Sequence, residues 1–247
     1  MKVQDVFEFL NSQFPTALAE GFDNVGLLVG DKSATVTGIL VCLDCTHTAI
    51  EKATEQGANL IVTHHPIIFS PLKNIRENSL VFKLIKNGIS VISMHTNLDV
   101  AENGVNDCLC NALGFNNTEP LVCSDGYTIK LATIDECTAE TLAKTVKTKL
   151  GYPVRYTDAG KKIKTVAVCS GSGGSFLYDA KNAADAFITA DLKHNVFYDA
   201  ENLGLSIIDG GHFATEDIVV EPLANMLKEK FANLTICTCH YTPIKFM

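Results

Sequence analysis

The 247-residue sequence has no low-complexity tract and no long run of one charge, which sets it apart from disordered, solvated chains. No apolar stretch approaches the roughly 18 residues that a membrane span needs. The opening residues, Met1-Lys-Val-Gln-Asp-Val-Phe7, lack the charged start, apolar core and cleavage site of a secretory leader. A cytoplasmic protein with no membrane partner is the expectation. Basic residues are also scarce: 20 Lys and Arg stand against 28 Asp and Glu, a formal net charge of -8. No basic stripe is present to neutralise a row of phosphates, so no nucleic acid is expected as a partner.

The nine cysteines lack a framework. An odd number cannot pair completely within one chain, and without an export signal the thiols are expected to be reduced. Cys42-Leu-Asp-Cys45 has redox or zinc spacing and Cys237-Thr-Cys239-His240 offers three ligands, yet neither has a second matching pair nearby. Small buried core residues are the plainer reading of most of them.

What is present is a globular composition, 47% hydrophobic and 19% charged, in a chain long enough for one large α/β unit or two smaller ones. Two are expected. Short apolar runs near residues 39–43, 60–63 and 89–93 alternate with helical patterns. Thr46 or Thr48 opens one helix that stops at Gly57, and Asn78 opens another that stops at Gly88. Such β-α-β-α order predicts an α/β fold of mostly parallel or mixed sheets with helices on their faces. A helix closes at Gly114, and the turn-rich Asn116-Asn-Thr-Glu-Pro120 marks a boundary. A smaller α/β domain over 119–202 follows, and residues 203–247 return to the first domain of 1–118 if the His and Glu downstream of Ile208 share one site with the earlier histidines.

Side chains suited to metals end several apolar runs. His64-His65 follow Asn59-Leu-Ile-Val-Thr63, His95 and Asp99 follow Ile89-Ser-Val-Ile-Ser-Met94, and His212 and Glu216 follow Leu205-Ser-Ile-Ile208. The carboxyl ends of parallel strands face one crevice, so residues about 150 positions apart can meet there. Several imidazoles and two carboxylates so gathered would hold divalent metal. Neighbours on an extended strand point opposite ways, so the His64-His65 doublet suits two adjacent ions better than one. Each segment also has a plainer reading: a strand end before Pro66, a polar turn at Asp99, a helix start at Thr215-Glu216. Recurrence in three segments of a chain with seven histidines favours the metal.

Cys169-Ser-Gly-Ser-Gly-Gly-Ser175 follows a strand and precedes a helical pattern. Its amides are placed to cradle a phosphate or carboxylate, or its glycines simply serve a tight turn; the Gly-Lys-Ser/Thr ending of a Walker loop is missing.

Taken in order, Phe22-Asp-Asn-Val-Gly-Leu-Leu28, Leu43-Asp-Cys-Thr46, His64-His-Pro-Ile-Ile-Phe69, His95-Thr-Asn-Leu-Asp99, Gly104-Val-Asn-Asp107, Cys169-Ser-Gly-Ser-Gly-Gly174 and Asp209-Gly-Gly-His-Phe-Ala-Thr-Glu216 resemble the Nif-three-like family, also named GTP cyclohydrolase 1 type 2. The resemblance spans nearly the whole chain. It implies a dinuclear metal centre with His64, His65, Asp99, His212 and Glu216 as ligands, the two carboxylates bridging, and His95 beside the site. It further implies a toroidal homohexamer with the metal sites facing an internal cavity. Phe22 stands where many relatives have Trp, and Ala190-Asp191 and His194-Asn195 stand where a family segment often reads Gly-Asp and His-His. The short span from Gly114 to Lys164 marks the form without a large inserted domain.

The functional expectation is a metal-dependent hydrolase-type enzyme acting on a nucleotide or phosphorylated small molecule, with His95 transferring the proton. The family name suggests GTP ring opening with formate release. The alternative is a non-catalytic hexamer that stores or delivers metal or serves as a scaffold. Two divalent ions per subunit are expected either way, as zinc, manganese, iron or nickel, since imidazole and carboxylate ligands suit all four.

Overall fold

The computed structural model describes residues 1–247. In chain order its helices are α1 (Val3–Gln13), α2 (His47–Glu55), α3 (Leu80–Lys86), α4 (Thr96–Val100), α5 (Val105–Leu113), α6 (Ala139–Leu150), α7 (Leu177–Ala183), α8 (His194–Leu203), α9 (His212–Glu216) and α10 (Val220–Lys230). The strands are β1 (Gly26–Val29), β2 (Gly38–Cys42), β3 (Leu60–Thr63), β4 (Ser90–Ser93), β5 (Thr118–Val122), β6 (Thr128–Cys137), β7 (Arg155–Thr157), β8 (Ile163–Val168), β9 (Ala186–Thr189), β10 (Ser206–Asp209) and β11 (Thr235–Cys239). No helix is long and apolar enough to cross a membrane. The chain divides into two compact units, Met1–Glu102 with Val219–Ile244, and Asn103–Ile218 with Lys245–Met247.

The first unit is built on a five-stranded sheet of order β1-β4-β3-β2-β11. Strands β2, β3 and β4 read Gly-Ile-Leu-Val-Cys, Leu-Ile-Val-Thr and Ser-Val-Ile-Ser, and every residue in them is buried. Continuous apolar runs of this kind belong to parallel strands covered on both faces, and β2, β3 and β4 do pair in parallel. Only edge strand β1 runs antiparallel, against β4. Thr46 caps α2 by accepting from the Ala49 amide, as its position predicts. The cap of α3 is Ser79, accepting from Phe82 N, one residue beyond the expected Asn78. Leu40, Ile61 and Val91 of the strands pack with Ala49, Ile50 and Leu84 of these two helices.

The second unit carries a six-stranded mixed sheet of order β5-β6-β8-β9-β10-β7. Its centre, β8-β9-β10, is parallel. Side chains alternate faces along a strand, and the packing follows that period. Val166, Val168, Ile188 and Ile208 meet Leu109, Leu142 and Val146 on one face. Ala167, Phe187 and Ile207 meet Leu177, Ala180 and Ala200 on the other. This hydrogen bonding to β9 puts residues 206–209 in the second sheet, whereas the sequence pattern had grouped 203–247 with the first domain.

Candidate metal centre

In the first unit, β3 and β4 are parallel neighbours whose last paired residues are Thr63 and Ser93. The segments that follow therefore emerge side by side, carrying His64, His65 and His95. The ring centroids of His64 and His95 are 5.2 Å apart, those of His65 and His95 5.7 Å, and those of His64 and His65 5.0 Å. A ligand nitrogen from each of the three lies within 4.8 Å of the other two, close enough for a common ion. Asp99 sits within the short helix α4, with Oδ1 3.5 Å from His64 Nε2.

Each ring is fixed from behind. His64 Nδ1 is 2.9 Å from the carbonyl oxygen of Met94. A carbonyl only accepts, so Nδ1 carries the proton and Nε2 of the neutral ring keeps its lone pair. His65 Nδ1 is 2.8 Å from Asp44 Oδ1, and His95 Nδ1 is 2.9 Å from Asp23 Oδ1. Asp23 also accepts from the Thr96 amide at 3.0 Å and the Thr96 hydroxyl at 2.6 Å. Burial alone would raise its pKa, but the bonds from His95 and Thr96 hold this carboxyl well below the usual carboxylate range.

In the second unit, the segments that follow β8, β9 and β10 carry the other candidate residues. His212 and Glu216 span α9, with His212 Nε2 2.8 Å from Glu216 Oε2, the i,i+4 spacing that puts both on one helix face. His212 Nδ1 is again held by a carboxylate, Asp191 Oδ2 at 2.7 Å. Asp191 has φ +55, an uncommon conformation for a residue with a side chain and one that marks functional turns. Burial by itself would lower the His212 pKa, but the bonds and charges of Glu216 and then Asp191 push it up to about 9. A cation that binds at this imidazole must compete with a proton there.

The glycine loop is packed around this carboxylate. Gly171 has φ +56, and a Cβ there would overlap Glu216 Oε1. Gly171 N donates to Thr215 Oγ1, Gly173 N to Thr189 Oγ1 and Ser170 N to Asn106 Oδ1. Those amides are engaged within the protein, so the turn reading of the loop describes them better than a phosphate cradle. Gly211, with φ +80, precedes His212, and any side chain there would collide with the Tyr152 ring.

The cysteine motifs form no comparable group. Burial, and secondarily the charge of Asp44, pushes the Cys45 thiol up to about 12, disfavouring the thiolate that binds metal. His240 Nε2 lies 2.9 Å from Glu221 Oε1.

The sequence-predicted residues thus fall into two sets, His64, His65, His95 and Asp99 in one unit and His212 with Glu216 in the other. The residues missed are the carboxylates behind the rings, Asp23, Asp44 and Asp191. Asp23 and Asp44 fall within segments that carry the family resemblance and Asp191 in one that departs from it, but nothing local to them signals a role. The donors are imidazole nitrogen and carboxylate oxygen, and every one of the four histidines has Nδ1 on a carbonyl or carboxylate. This is the usual support of metal-bound histidine, so the residues fit a divalent ion.

The family model described as Duf34/NIF3 (NGG1p interacting factor 3) matches residues 1–243. A "GTP cyclohydrolase 1 type 2 homolog" of Clostridium perfringens is 38% identical over 242 residues, covering 93% of this chain and 92% of the relative. The crystal structure of Staphylococcus aureus hypothetical protein SA1388 superposes with a TM-score of 0.93 at 30% identity, covering 100% of this chain and 99% of that one. Reduced HcgD from Methanocaldococcus jannaschii gives 0.86 at 29% identity, with 98% of each chain covered. With the match running through nearly every residue, the chain belongs to the Duf34/NIF3 family.

Proposed function

We propose that the chain is a metal-dependent hydrolase-type enzyme in which His64, His65, Asp99, His212 and Glu216 are the residues that would hold two divalent ions. The observation that carries this reading is the uniform support of the histidines. Four Nδ1 atoms sit on Met94 O, Asp44, Asp23 and Asp191, an investment that free surface histidines do not need. When bound, such ions polarise the substrate and lower the pKa of water.

The protein's own part is proton handling. Asp23 holds the His95 Nδ1 proton, leaving Nε2 to take a proton from the attacking water and return it to the leaving nitrogen. The names of the relatives suggest GTP as substrate. There, a water oxygen would bond to the imidazole carbon, one C–N bond would break with its nitrogen protonated, and a second hydrolysis would release formate. A homohexamer, implied by the family resemblance, completes the proposal.

One observation favours a second reading. A ligand nitrogen of His95 lies within 4.8 Å of one from His64 and one from His65. If His95 is itself a ligand, no free base remains and the protein is a metal-storing or metal-delivering scaffold. The test is a screen of nucleotides and phosphoesters with metal-reconstituted protein. Release of formate from GTP supports the enzyme; metal uptake with no turnover of any compound favours the scaffold.

A further inference from the structure

Two phenylalanines of the first unit stand in solvent beside the histidines. Phe22 is 67% exposed and Phe69 51%. Their ring centroids are 6.3 Å apart at an interplanar angle of 56°. Phe69 meets His95 edge to face, at 6.2 Å and 85°.

Two neighbouring apolar rings in water would ordinarily fold inward. Here the backbone holds them out. Phe22 is followed by Asp23, whose side chain is fully buried and bonded to His95 and to Thr96. Asn24 Nδ2 then donates to the Ile68 carbonyl at 2.6 Å, tying the Phe22 segment to the residue before Phe69. The clamps that orient His95 therefore also fix both rings, which stay exposed and tilted, presenting one face and one edge. That arrangement suits a flat ring lying offset on one phenylalanine with its rim against the other, the geometry aromatic systems prefer.

We infer that Phe22 and Phe69 form the binding surface for a planar heteroaromatic ring of the substrate, presented to the histidine cluster through His95. This rests on the enzymatic reading above and narrows it: the substrate carries a flat ring of purine or pterin type, recognised by stacking. Stacking on a π-face tolerates different bases, so the two residues select for a ring and not for one base.

The test measures binding to metal-loaded protein. Because the chain has no tryptophan, Phe22→Trp introduces a single indole whose emission reports stacking. GTP and guanosine are expected to quench it, and inorganic triphosphate is not. Phe22→Ala and Phe69→Ala are each expected to weaken GTP binding by about tenfold or more, with metal content and inorganic triphosphate binding unchanged. Unaltered GTP affinity in both alanine variants overturns the inference. So does failure of GTP, guanosine and a free pterin all to bind, or loss of the native oligomer in the alanine variants with GTP affinity retained, which would make the rings a contact between copies. Failure of the metal reading shows separately, as absence of bound metal in the unmodified protein.

Discussion

Gly171 and Glu216 approach so closely that a single methyl group on Gly171 would occupy the position of the Glu216 carboxylate oxygen. The glycine at 171 is therefore a condition for where the carboxylate points, and not merely a feature of the turn. Gly171→Ala must either rotate Glu216 away or displace the loop, and its φ of +56 adds backbone strain. The variant is expected to keep its fold by circular dichroism and to lose metal in elemental analysis. Retention of full metal content would mean that Glu216 does not need this position.

Asp44 supports His65 from outside the histidine cluster. Asp44→Asn keeps the shape but removes the charge behind His65 Nδ1. Metal affinity should fall by about 10- to 100-fold, the usual effect of losing such a supporting carboxylate. Competition with a chromophoric chelator measures it. An unchanged affinity would remove His65 from the ligand set.

The linkage at Asp23 has a definite sign. Its carboxyl is held below its ordinary value of 3.8, so its contribution to stability is fully present above that value and fades as pH falls toward the folded-state pKa. Asp23→Asn should cost about 2 kcal/mol at pH 7, the scale of hydrogen bonds to a buried charge. The gap between the two proteins in thermal unfolding should narrow below about pH 4. A gap that is constant from pH 7 to pH 3 would show that the carboxylate's charge is not what matters.

The sequence made the strand-end donors readable for a physical reason: a buried parallel strand is a continuous apolar run, and the residue where the run stops lies at the sheet's carboxyl end. That logic located His64, His65, His95 and His212, all of which follow strands in the structure. It could not reach the partners behind the rings. Asp44 and Asp191 are each 21 residues from the histidine they support, and Asp23 is 72 residues from His95, separations fixed only by tertiary pairing. Strand β10 shows the same limit. Its apolar pattern marks a strand, but its place beside β9 depends on register between segments, which periodicity does not encode. The glycine loop reads as an anion cradle or as a turn until its amides are seen to be engaged by Thr215, Thr189 and Asn106.

The division of labour among the ligands and His95 is tested by two variants. Glu216→Gln preserves shape and removes the charge of a proposed ligand, so at least one ion should be lost and turnover abolished. His95→Ala should keep both ions and lower turnover by about a hundredfold or more, the scale of a lost acid-base group. Metal loss in His95→Ala would move that residue into the ligand set and favour the scaffold.

The most direct measurement is the metal content of the unmodified protein, purified without chelator and analysed for all transition metals per chain. The account predicts about two divalent ions per chain, falling in Glu216→Gln and unaffected by replacing Cys42, Cys45, Cys237 or Cys239 with serine. A single ion that disappears with the cysteines, or no bound metal after reconstitution with zinc, manganese, iron and nickel, would contradict it.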